Sequence, residues 1–440
     1  MKSKRILCLL VAAMMMMTLL LSGCGASKPE ESAKPAEGAK PADTAKTDAA
    51  KPAAGPVEIT FWNLFGGGEG DFVDKIVKDF NASQQEVVVK ALRLDSQEYY
   101  AKLGTALSSG KGPDVGVVHQ EKMAPFVNAK QLAALDDVAA KVGLNYGDFT
   151  ENNANGVLFN GKHYAVPLDT HFMVMYFNTK PLENAGLLND DKTPKLGDVT
   201  PEGYKKFLQA IKDKNPNVTP LSVNVPYFHE PFLNAYYETG GEVVVDGKVA
   251  VDKEKAVQVL KWYMDLFDSK LADLNDKTPW DTFNSGKSAV WWSGVWEAAA
   301  NFADTANPKA CIPIPPVFGS PKHWAGSHTL AMPAYVDASK QEAVLKFMKY
   351  FTYEGGKTWA QAGHVPASKA AANSDEFNKL PFRNYFKEAQ TTVKFAPATD
   401  KWNSIDMSMR ESLQQIIFKK VAPEAGVDNM IKNIDDILNK

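Results

Sequence analysis

Apolar and polar positions divide the chain into three stretches of different pattern. Residues 6–21 are an almost unbroken apolar run, residues 25–56 contain almost nothing apolar, and from residue 57 onward short periodic segments alternate. The body opens with an α/β rhythm. Residues 57–62 read as a strand, followed by a loop over 63–70 that carries four glycines. Residues 71–80 place Phe72, Ile76, Val77 and Phe80 on one helical face. Residues 87–94 are β-branched and alternating, which predicts a second strand. A helix over 99–107, closed by Gly110, and a third short strand over 114–118 complete the unit. Strand, helix, strand, helix, strand implies a parallel sheet with crossover helices. Ligands of such sheets sit beyond the carboxyl ends of the strands, which selects the loops after Trp62 and Val118. Farther on, helical spacing predicts helices over 204–212, 254–267, 342–351 and 404–438, the last broken near Pro423. There is no internal repeat.

Charge and composition change the picture at the amino-terminal end. Lys2, Lys4 and Arg5 precede the apolar run, and Leu21-Ser22-Gly23-Cys24 follows it. Positive residues, a short apolar stretch and a small-residue site form a secretory signal. The run is shorter than the ~20 residues of a membrane-spanning helix. Its ending resembles the lipobox of bacterial lipoproteins, which implies a lipidated Cys24 as the mature first residue and a place on the outer face of the cell membrane. Residues 25–56 hold five lysines balanced by five acids and no aromatic residue, a composition unable to offset ordering entropy. They are expected to form a disordered tether. Without Lys2, Lys4 and Arg5 the net charge moves from −3 to −6, which argues against nucleic acid as a partner. Of Cys8, Cys24 and Cys311, only Cys311 falls in the body, so no structural disulfide is expected there.

Several blocks of the body then fall in the order and spacing of a known family. Ile59-Thr60-Phe61-Trp62 leads a glycine-rich loop, and Gly110-Lys111-Gly112-Pro113-Asp114-Val115 enters the third strand. Gly161-Lys162-His163-Tyr164-Ala165-Val166-Pro167 continues to Tyr176-Phe177-Asn178 and Asn184-Ala185-Gly186-Leu187. Phe283 to Val290, Ser293-Gly294-Val295-Trp296, Val365-Pro366-Ala367 and Trp402 follow. Together they resemble the family 1 extracellular solute-binding proteins, the maltose-binding-protein-like group of carbohydrate ABC transporter lipoproteins. The resemblance implies an α/β fold of two lobes, each a sheet flanked by helices, closing on a ligand in the cleft by hinge motion. It places residues 57–167 with about 320–364 in an N-terminal lobe, and 168–319 with about 365–440 in a C-terminal lobe. It further implies a monomer that captures a sugar or oligosaccharide for membrane permease subunits, with no cofactor and no catalysis.

Sugars are held by aromatic faces against C–H surfaces and by polar side chains on hydroxyls, in concave and mostly apolar sites. His119, Gln120 and Glu121 directly follow the third strand. Asp169, Thr170 and His171 form a polar triplet at the lobe crossing, where burial without a partner would be costly. Trp296 is the leading stacking residue and Trp402 its counterpart from the second lobe. Trp62, Asn63 and Phe65 follow the first strand. Tyr227, His229 and Glu230 precede a helix, and His328 lies in a Gly-Ser-His turn. Trp291 and Trp292 read as core, and Asp114 as structural because it leads its strand.

Catalytic and metal motifs fail on spacing. Gly286-Lys287-Ser288 has Asp281 where a phosphate loop needs glycine, and the 66–70 glycine run has Asp71 where a dinucleotide loop needs one. His229-Glu230 is followed by Leu233 where a zincin needs histidine, no G-x-S-x-G elbow occurs, and the seven histidines form no pair at helical metal spacing. No metal site is expected. The open alternatives are a non-sugar solute (polyamine, peptide or oxyanion), a secreted polysaccharide hydrolase with two carboxylates across a groove, and a protein-binding surface module.

Overall fold

A computed structural model describes residues 55–397 and 399–440. The secretory signal, Cys24 and nearly all of the expected tether lie outside the described residues.

The first sheet begins with β1 (Val57–Asn63), β2 (Val87–Arg93) and β3 (Val115–His119), with α1 (Gly67–Ser83) and α2 (Ser96–Ser109) as crossovers. β1 runs parallel to both neighbours, Val57 opposite Val87 and Phe61 opposite Val115. Ile59 and Phe61 of β1 point into the core. Helix α1 starts at Gly67, four residues earlier than expected, so the glycine run forms its first turn instead of a loop. That shift carries Glu69 onto the helix start. Asp95 caps α2 by accepting from the Gln97 amide. Asp114 accepts from the Thr60 amide and hydroxyl, a structural role in tying β3 to β1.

After β4 (Ala165–Pro167) the chain passes to β5 (Asp169–Asn178), a fully buried strand at the centre of a second sheet. Buried on both faces, β5 reads as one continuous apolar run after its polar first three residues. Helices α3 (Pro201–Lys214), α4 (His229–Glu238) and α5 (Lys253–Asp268) flank this sheet, whose strands include β6 (Thr219–Ser222), β7 (Ser288–Gly294), β8 (Lys309–Pro313) and β9 (His323–Gly326). Trp291 and Trp292 of β7 are core residues. β9 still pairs with β5, so the return to the first sheet falls at residues 326–328, later than the expected position near 320. β10 (His328–Ala331) then inserts between β3 and β4. Helices α6 (Ala338–Thr352) and α7 (Glu354–Ala362) cover the first sheet, and β11 (Val365–Pro366) returns to β5. β12 (Val393–Phe395) edges the second sheet, and α8 (Trp402–Ile417) and α9 (Pro423–Leu438) pack against each other and on α5. The break near Pro423 separates these two helices, with Pro423 at the first position of α9, where its missing N–H costs nothing.

Each sheet has its own hydrophobic core, one around Phe61, Phe347 and Phe351, the other around Tyr204, Trp292 and Leu413. Cys311 is buried in a third cluster and unpaired. Among the described residues no helix is long and apolar enough to cross a membrane.

Gly363 joins α7 to β11 with φ +128°, and a Cβ there would lie 1.9 Å from the Val295 carbonyl oxygen. Only glycine fits both the backbone and the space. Gly363→Ala is therefore expected to lose roughly 3 kcal/mol of stability, read as a lower midpoint in urea unfolding.

Candidate functional site

Strand register decides which polar residues meet between the sheets. His328, the first residue of β10, pairs directly with His119 at the end of β3. His171 of β5 lies opposite Gly326 of β9, two residues before His328. His364 precedes β11, whose Pro366 faces Asp169. Four histidines remote in sequence thus converge, with ring centroids of His328 at 4.4 Å from His119, 4.3 Å from His171 and 5.4 Å from His364.

Asp169 lies beneath them, fully buried. Its Oδ1 accepts from the His328 amide (3.0 Å) and His171 Nδ1 (3.2 Å), and its Oδ2 from His328 Nδ1 (2.9 Å) and Trp359 Nε1 (2.7 Å). Burial alone would raise this carboxyl, but His328, His364 and the hydrogen bonds from His171 and His328 hold it well below the usual carboxylate range. An ionised carboxylate only accepts, so the Nδ1 atoms of His171 and His328 are the protonated ones. Gly326 makes room for this arrangement, since a Cβ there would lie 2.4 Å from His171 Nε2.

A cavity of about 620 Å³ opens above this cluster, between the lobes. The first lobe contributes Glu69 from α1, Tyr100 from α2, and His119, Glu121 and Lys122 from the end of β3. The second contributes Tyr227, His229 and Glu230 around the start of α4, together with Trp296, Trp324 and the α8 face Trp402, Asp406 and Arg410. Trp296 is half-buried and meets His171 edge to face at 5.8 Å. Gly294 accommodates its ring, which occupies the space a Cβ would need, with ring atoms at 2.2 Å. Asp406 pairs with Arg410 at 2.8 Å, and the Arg410 guanidinium lies over the Tyr227 ring. The lobes touch across the cavity: Lys122 donates to Asn403 Oδ1 at 2.7 Å, and Gln97 is hydrogen-bonded to the Tyr227 hydroxyl.

Nine of the sequence-selected residues line this cavity: His119, Glu121, His171, Tyr227, His229, Glu230, Trp296, His328 and Trp402. Trp402 presents little surface, being 4% exposed and packed into the second core. Six do not line it. Asp169 is the buried carboxylate under the floor, and Thr170 donates to Asn153 Oδ1 at 2.9 Å, because β5 buries both faces. Asn63 turns back to accept from the Phe65 amide, and Phe65 packs on His328 and Trp359. Trp62 packs against the first core. Gln120 faces a neighbouring cavity of about 780 Å³ lined also by Phe159 and Phe395, which shares Glu121 with the first. Glu69, Tyr100, Lys122, Trp324, His364, Asp406 and Arg410 were not among the selected residues. A signal existed for two of them: Trp402, Asp406 and Arg410 are spaced by four and share one helical face.

Burial pushes the Glu230 carboxyl up to about 7, against the pull of Arg410. The folded state then holds a proton that the unfolded state has released, so stability falls as pH rises from about 4.5 to about 7. Glu230→Gln removes this penalty. With the side chain 17% exposed, the expected gain at pH 8 is roughly 2 kcal/mol, vanishing at pH 4. Thermal unfolding of both proteins at the two pH values reads it directly.

Residues 75–383 match the family model described as bacterial extracellular solute-binding protein. The chain belongs to this family, whose members bind solutes. It is 26% identical to the diacetylchitobiose binding protein DasA of Streptomyces coelicolor over 72% of this chain and 74% of that protein. It is 25% identical to an arabinooligosaccharide-binding protein of Bacillus subtilis, over 62% of this chain and 55% of that one. Its fold matches the GacH receptor of Streptomyces glaucescens, solved unliganded and with acarbose, at a TM-score of 0.77 and 23% identity, covering 88% of this chain and 99% of the receptor.

Proposed function

We propose that the protein captures a sugar or oligosaccharide in the interlobe cavity and delivers it, by hinge closure and reopening, to the permease subunits of an ABC importer. The observation that carries this reading is the cavity wall itself. Trp296 and Trp324 line it with aromatic surface suited to C–H groups, while Glu121, Glu230, Asp406 and the imidazoles of His119, His171 and His328 supply polar groups suited to hydroxyls. Four carboxyls (Glu69, Glu121, Glu230 and Asp406) and two cations (Lys122 and Arg410) line the wall with the imidazoles. Asp406 is paired with Arg410, and burial raises the Glu121 and Glu230 carboxyls. Little unpaired charge is left, which suits a neutral polyol better than a polyamine or an oxyanion. Relatives named for diacetylchitobiose and arabinooligosaccharide support the same ligand class. The adjoining cavity beside Gln120 leaves room for a chain longer than one ring.

Lys122–Asn403 and Gln97–Tyr227 are the contacts such a closure would make and break. Lipidation at Cys24 would hold this monomeric module on the outer face of the cell membrane, with residues 25–56 as the tether. The protein carries out no chemistry on its ligand. Calorimetry against a panel of mono- and oligosaccharides tests the proposal. Saturable binding of one sugar, recovered intact, is expected. Release of shorter sugars would show a hydrolase, and binding only of polyamines, peptides or oxyanions would reassign the ligand.

A further inference from the structure

The geometry points to a metal site on the floor of the cavity: a divalent transition-metal ion of the zinc class, held by His171, His328, His364 and Asp169. One ligand atom from each of these four residues lies within 4.8 Å of the other three, and all four residues are buried. The Nδ1 atoms of His328, His171 and His364 stand 2.9, 3.2 and 3.3 Å from the Asp169 carboxylate oxygens. Ligand atoms bound tetrahedrally to zinc at 2.0–2.1 Å are separated by ~3.3 Å. The distances to Asp169 already lie near that spacing, and the widest separations within the cluster, at most 4.8 Å, would have to close by up to ~1.5 Å.

His364 supplies the second, independent observation. Its Nε2 is 2.6 Å from Glu69 Oε1, and an ionised carboxylate takes only a donor, so Nε2 carries the proton. Its Nδ1 has no hydrogen-bond partner and is fully buried. Nδ1 instead faces the Asp169 carboxylate at 3.3 Å, a place that either a proton or a metal ion on Nδ1 fills, and a metal ion binds there by displacing that proton. An imidazole whose other N–H is held by a carboxylate is the usual form of a zinc-bound histidine. Trp359 stacks on the His364 ring at 4.5 Å and 6°, fixing its plane. Three imidazoles with one carboxylate suit zinc, and fit calcium or magnesium poorly.

No sequence motif marks the site, because its ligands come from β5, the start of β10 and the residue before β11. Metal binding displaces the Nδ1 protons of the three imidazoles, which pass to a free Nε2 or are released to solvent, with no change of oxidation state. His171, His328 and His364 also line the cavity, so a bound ion would sit at its floor. The inference does not rest on the ligand being a sugar.

The test uses the purified chain stripped with EDTA and titrated with zinc chloride, with cobalt(II) chloride as a spectroscopic substitute. One equivalent of zinc is expected, and cobalt should give the intense visible bands of a four-coordinate nitrogen and oxygen site. His364→Gln and His171→Gln should each weaken zinc binding at least tenfold, whereas His163→Gln, remote from the cluster, should not change it. Circular dichroism confirms that the variants fold, and the cobalt spectrum of the unmodified protein stands without them. Absence of stoichiometric zinc, affinity unchanged in His364→Gln, or a sulfur-to-metal charge-transfer band from a cysteine would each overturn the site.

Discussion

Asp169→Asn should cost the folded, EDTA-treated protein about 3–5 kcal/mol at pH 7, the range for removing one side of a buried charge network. The substitution keeps the size of the side chain, so packing is not the cause. One of the two carboxylate oxygens becomes an NH2 group. If Oδ1 is replaced, the His328 amide and His171 Nδ1 face a donor; if Oδ2 is replaced, His328 Nδ1 and Trp359 Nε1 do. Each buried donor left unpaired adds its desolvation penalty. The pH dependence has a definite sign. A carboxyl held below its unfolded pKa of 3.8 contributes stability in full above that value and loses it as pH falls through the folded pKa. The difference between the two proteins should thus be complete at pH 7 and shrink in acid. Urea unfolding at pH 7 and pH 3 checks both statements; equal midpoints at pH 7 would remove Asp169 from its structural role.

Trp296→Ala should weaken binding of the best sugar in the panel at least tenfold, about 1.4 kcal/mol, with little change in unfolding midpoint. The indole is half-buried and walls the cavity, so its loss removes contact area from the ligand more than from the core. A second variant separates the ring's position from its presence. Gly294 has ordinary φ (−76°), but its Cβ would fall 2.2 Å from the Trp296 ring. Gly294→Ala should push the ring aside and lower affinity while leaving the indole in place. Unchanged affinity in Trp296→Ala would take this residue out of the ligand site.

Much of this site was legible because its walls sit where chain pattern already places loops. His119 and Glu121 directly follow the third predicted strand, and Tyr227, His229 and Glu230 precede a predicted helix. Parallel-sheet logic sends such residues toward the ligand side. The same reasoning misplaced Trp62, Asn63 and Phe65. They follow a strand too, yet α1 begins at Gly67 and folds Phe65 back onto His328 and Trp359, bringing Glu69 forward instead. Asp169 and Thr170 were expected at the ligand because polar groups are not buried without a partner; in the fold their partners are other side chains, His171, His328, Trp359 and Asn153.

Periodicity, turn chemistry and the order of short blocks were sufficient for the α/β class, the two sheets and the family, because each depends on neighbours within a few residues along the chain. The four-histidine floor depended on something else. His119, His171, His328 and His364 meet only because β10 pairs in one register with β3, β9 with β5, and β11 with the start of β5. A slip of one residue in any of these ladders would turn the imidazoles to the opposite face. Register between strands more than a hundred residues apart is set by the packing of both cores. That decision belongs to the tertiary structure.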